Sequence, residues 1–131
     1  MTRDALWTGL GEAADAVQAA VDEYERAPTP QRRAVRDAAF QEYVRRLPHV
    51  IGNAEANRYE ASWVAYQEAT ERVEQLAVRL GLLPSTDATD RQLQQQLIDA
   101  QAAAGKAFGV ATVALEAALD RARAHDEKGG A

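Results

Sequence analysis

Apolar residues recur every three or four positions along most of the chain, and the breakers between these runs divide it into four helical segments. The first, from about Asp4 to Arg26, places Leu6, Leu10, Ala13, Val17, Ala20 (or Val21) and Tyr24 on one stripe. Gly9 and Gly11 weaken its first turns. Ala27-Pro28-Thr29-Pro30 ends it, because proline disfavours helical geometry in the residue before it. Thr29 is a good N-cap and Pro30 suits the first helical position, so the second segment starts there and runs to about Leu47. Val35, Ala39, Phe40, Tyr43, Val44 and Leu47 are expected to face inward.

Pro48 and Gly52 bracket a connector holding His49, Val50 and Ile51, after which Asn53 is expected to cap a third segment ending at Leu80. Its heptad is the clearest in the chain: Tyr59, Trp63, Tyr66, Thr70, Val73, Ala77 and Leu80 alternate steps of four and three. Trp63 should therefore be buried. Gly81 stands where a left-handed cap is expected, followed by Pro84 and a polar turn over Ser85 to Thr89. Thr89 or Asp90 opens the fourth segment, from about Asp90 to Ala124, with the seam Leu93, Leu97, Ala100, Ala104, Phe108, Ala111, Leu115, Ala118 and Ala122.

Short connectors between long helices imply an all-α, up-and-down antiparallel four-helix bundle with a long, alanine-rich C-terminal helix. Residues 1–124 read as a single helical domain and 125–131 as a disordered tail. Composition sharpens this picture. Alanine occurs 29 times against 32 larger apolar residues, which favours helix, leaves strands little to build on and predicts a thin core. Arginine outnumbers lysine 13 to 2, which points to a GC-rich bacterial genome.

Several classes of chemistry lack their usual residues. There is no cysteine, hence no disulfide scaffold, thiolate metal site or thiol nucleophile. The two histidines, His49 and His125, have no glutamate three residues before them, so the paired motif of carboxylate di-metal bundles is missing. His49, in its connector, reads as structural rather than as a catalytic base. Neither Ser62 nor Ser85 lies in a nucleophile elbow, and no glycine-rich phosphate loop occurs. No catalytic residue, metal ligand or cofactor is assigned, and an enzyme is not favoured. No run approaches ~18 apolar residues and the first residues lack an apolar signal core, so a cytoplasmic protein without membrane contact is expected.

Three surfaces remain as candidates. The net charge of −5 is uneven: residues 31–52 carry five arginines against Asp37 and Glu42, a net of +3, and the rest carries −8. Arg32, Arg33 and Arg36 could form an anion-binding face, although five arginines without interleaved aromatics are a weak nucleic-acid signal. Tyr59, Trp63 and Tyr66, with Asn57 or Asn53 at the mouth, could line a small-ligand pocket; core packing is the commoner use of such spacing. Gly105-x-x-x-Gly109, with Ala102 and Phe108, could let another helix approach closely, which would offset roughly 1 kcal/mol for each glycine inside a helix, or could equally mark a bend. A fourth segment of about 35 residues (roughly 52 Å) outruns the others and should leave apolar surface for a partner. The favoured reading is a non-enzymatic interaction or assembly protein that pairs with itself, as a homodimer, or with another protein. The alternatives are a small-ligand or enzymatic bundle using the aromatic face, then anion or nucleic-acid binding. Trp7-Thr8-Gly9 resembles the Trp-x-Gly element of small secreted helical-hairpin proteins of the type VII class, but it lies at the chain start rather than between two helices, and no family is assigned.

Overall fold

The computed structural model describes residues 2–80 and 88–129. Gly81, Pro84 and the turn residues 85–87 lie outside the described residues. The fold is all-α: α1 (Arg3–Arg26), α2 (Pro30–Arg46), a single 3-10 turn (Leu47–His49), α3 (Asn53–Leu80) and α4 (Ala88–Gly129), with no strand among the described residues. Local chemistry explains the starts. The Thr2 hydroxyl accepts from the Ala5 amide at 3.1 Å and caps α1. Thr29 accepts from the Arg32 amide at 3.1 Å, with Pro30 in the first turn of α2, as the sequence predicts.

The chain forms two compact units, one of Met1–Asn57 with Glu116–Ala131 and the other of Arg58–Leu115. In the first, α1 packs on α2. Leu10, Ala13 and Ala20 bury their side of α1, and Phe40, Tyr43 and Val44 bury theirs on α2, while Val50 and Ile51 are buried in the connector. Phe40 and Leu47 have no exposed surface at all. Each such side chain contributes roughly 1.5–3 kcal/mol relative to exposure. One expected core position fails. Val35 is 61 % exposed, and its neighbour Arg36 is buried instead. Arg36 earns that place by lying over the Tyr24 ring, 4.6 Å from its centroid, with Asp37 as counter-charge at 3.0 Å.

The end of α4 also departs from expectation. The helix reaches Gly129, so His125 to Gly129, read as the start of a disordered tail, continue it. The reason lies far away in sequence. Asp126 Oδ2 accepts from Arg3 Nε and Nη2 at 3.1 and 2.8 Å and from Trp7 Nε1 at 2.7 Å. Arg123 lies over the Trp7 ring at 4.8 Å. These contacts tie the last turns of α4 to the first turns of α1.

In the second unit Trp63 is buried as expected, together with Ala69, Leu76, Ala111 and Leu115. The α3 heptad slips at its C-terminal end: Ala77 is exposed and the larger Leu76 takes the covered side, so the buried line turns around the helix. The α4 seam is covered or half-covered from Leu93 to Ala122 apart from Ala100, which is exposed. By length and composition alone, α4 is the one described helix that could cross a membrane, with mean hydropathy 1.4 over its most apolar window. That finding qualifies the expectation drawn from uninterrupted apolar runs, because alanine, valine and glycine accumulate here between single charges.

Candidate functional site: the outer face of α4

Residues 88–115 of α4 present two unlike faces. On the inner one, Phe108 lies 5.5 Å from the Tyr59 ring and 6.0 Å from the Tyr66 ring, stacked on the latter at 13°. Gly105 faces the same tyrosine: a Cβ there would stand 3.2 Å from Tyr66 Cε1. Gln101 adds a hydrogen bond from Nε2 to Thr70 Oγ1 at 3.2 Å. Gly105 and Phe108, two of the four proposed interface residues, therefore serve packing between α3 and α4.

The other two, Ala102 and Gly109, are exposed, and nothing stands within 4 Å of a Cβ built at Gly109. They belong to a second heptad. Gln95, Asp99, Ala102, Lys106, Gly109 and Val113 alternate steps of four and three, and all six are exposed. Val110 and Val113 are 52 % and 66 % exposed, beside a groove of about 430 Å³ lined by Arg58, Ala103, Lys106, Ala107 and Val110 among others. Asp99 and Lys106 lie one heptad apart on this face, with Ala102 and Ala103 midway between them. Asp99, Lys106, Val110 and Val113 lie off the single richest apolar stripe of the sequence, which marks the inward seam instead. The second 4-3 pattern is the signal for Asp99, Lys106 and Val113, with Val110 next to it.

The other candidates are placed as follows. Tyr59 and Tyr66 are half-buried against Phe108, Trp63 is buried, and Asn57 is exposed. Arg33 donates from Nη2 to the Tyr24 hydroxyl at 2.9 Å, and Arg32 donates from Nη1 to the Ala27 carbonyl at 2.9 Å. With Arg36 on the Tyr24 ring, this arginine face holds the α1–α2 corner together. Among the described residues no group of three or more His, Asp or Glu side chains is arranged to hold a metal ion. No family model matches the chain, and neither the curated proteins nor the solved structures contain a significant match.

Proposed function

We propose that this protein is a non-enzymatic helical-bundle assembly protein whose partner is a second copy of itself, met through the outer face of α4. The observation that carries this reading is the exposure of Val110 and Val113 on the same face as the small residues Ala102 and Gly109. Exposed apolar surface of this kind marks interfaces. Alanine and glycine allow two helix axes to come close.

The charges on this face select the occupant and its direction. In an antiparallel pair with the two-fold axis between Ala102 and Ala103, Asp99 of one copy stands opposite Lys106 of the other, twice. A two-fold interface must be self-complementary, and about this axis the Asp99–Lys106 pair is, with Ala102 opposite Ala103. A parallel, in-register pair would set Asp99 against Asp99 and Lys106 against Lys106. Exposed ion pairs contribute only about 0.2–1 kcal/mol each, so they set register more than affinity. The up-and-down antiparallel bundle belongs to the same proposal as the arrangement within one copy. The aromatic face of α3 has no part in it, since its rings are taken up by Phe108.

The chain has no native thiol, so a single introduced cysteine is a clean probe. Ala102→Cys, beside the proposed axis, should form a disulfide-linked dimer under mild oxidation. Ala88→Cys, exposed on the same helix but remote from the axis, should not. Equal cross-linking of both variants, or of neither, would overturn the reading.

A further inference from the structure

We propose that the cavity between the first turns of α1 and the end of α2 binds a small ligand bearing a phosphate group. The cavity measures about 310 Å³ and is lined by Leu6, Arg45, Arg46 and His49. That volume lies at the small end of ligand sites. The inference is independent of the assembly proposed for α4.

Its basis is an imbalance of charge. Glu42 is the carboxylate bonded to both guanidinium groups. It accepts from Arg45 Nε and Nη2 at 2.9 and 2.6 Å and from Arg46 Nε at 2.8 Å. These bonds fix the two arginines and neutralise one of them. One positive charge is left over. Arg46 Nη1 and Nη2, Arg45 Nη1 and the His49 imidazole make no hydrogen bond to other described residues, so these donors remain for a ligand. A phosphate offers several acceptor oxygens to guanidinium forks, where a carboxylate offers two. Leu6 gives the cavity an apolar wall for the carbon part of such a ligand.

Gly9 leaves room for Arg46 beside α1. A Cβ at residue 9 would stand 2.5 Å from Arg46 Nη1, so the guanidinium tip lies in the space that glycine leaves and would have to shift for an alanine. Glycine inside a helix is unfavourable by about 1 kcal/mol relative to alanine, and here the space is used. Arg32, Arg33 and Arg36, at the other end of α2, are engaged with Ala27, Tyr24 and Asp37. A polyanion is a poor fit, because the chain outside residues 31–52 carries a net −8.

The test is amide and side-chain NMR of the full chain titrated with inorganic phosphate at constant ionic strength. Saturable shifts are expected at Leu6, Gly9, Arg45, Arg46 and His49. Arg46→Gln should weaken binding at least about tenfold, the loss of one charge-assisted hydrogen bond. Gly9→Ala, which keeps every charge but displaces Nη1, should also weaken it, whereas Arg32→Gln should bind as the parent does. Shifts that never saturate, or that spread equally to Arg32 and Arg33, would overturn the proposal. Unchanged affinity in both Arg46→Gln and Gly9→Ala would do the same.

Discussion

The indole N–H of Trp7 donates to Asp126 Oδ2 at 2.7 Å, joining residues 119 positions apart. The same oxygen receives two bonds from Arg3, whose remaining Nη1 reaches the His49 carbonyl at 2.8 Å. The bonds from Arg3, and then that from Trp7, hold the Asp126 carboxyl below its ordinary pKa. A carboxyl lowered on folding contributes stability above its unfolded value, near 3.9, and loses it as pH falls through the folded value. Acid should therefore loosen this tie from about pH 5 downward. Asp126→Asn removes the titration, and its unfolding midpoint should fall less steeply with acid than the parent's. A residual slope should remain from Glu42, which Arg45 and then Arg46 lower in the same direction. Identical pH slopes in parent and variant would show that Asp126 is not the group responsible.

Burial of Trp63, only 7 % exposed, predicts a large penalty on truncation. Trp63→Ala should cost about 3–5 kcal/mol in urea unfolding, a substantial share of the stability of a small protein. A loss under about 1 kcal/mol would mean that this side chain is far less packed than its burial indicates.

Two helix-interior glycines should respond with opposite signs. Nothing stands within 4 Å of a Cβ at Gly11, so Gly11→Ala should raise stability by about 0.5–1 kcal/mol through helix propensity alone. Gly105 lies under the Tyr66 ring, with 3.2 Å available, so Gly105→Leu must displace that ring and its stack on Phe108. Thermal unfolding should show a rise for the first and a fall for the second.

Arg36 tests whether the arginine face of α2 is structural. Its guanidinium is buried on Tyr24, and Arg36→Ala should cost about 2–3 kcal/mol through lost packing and cation–π attraction. The neighbouring exposed Val35→Ala should change stability by less than about 0.5 kcal/mol in chemical denaturation. Similar losses for the two variants would contradict the observed exchange of inner and outer positions.

The contrast between Val35 and Arg36 also marks where sequence reading stops. Periodicity and breakers place four helices, and Thr29-Pro30 and the buried Trp63 stand as read. A hydrophobicity pattern, however, cannot see a tyrosine on another helix that makes an arginine the better inward residue. It also cannot see Arg3 and Trp7 reaching Asp126, which is why His125 to Gly129 read as a tail. Gly9 reads in sequence as a weak point in α1, whereas in the fold the tip of Arg46 lies in the space its side chain would take. On α4 the Gly105-x-x-x-Gly109 pair was legible as a close-approach motif, but which glycine meets which neighbour was not. Gly105 faces Tyr66 of α3, and Gly109 faces open space.

That open face is the centre of the proposed function, and the mass of the protein in solution tests it most directly. Sedimentation equilibrium over a concentration series should show a reversible dimer of the 14.2 kDa chain. Lys106→Glu should shift it toward monomer, and the double variant Asp99→Lys with Lys106→Glu should restore the dimer, because the pairs re-form with their signs exchanged. A strict monomer at every concentration would contradict assembly through this face, and a dimer indifferent to Lys106→Glu would contradict the antiparallel register that pairs Asp99 with Lys106.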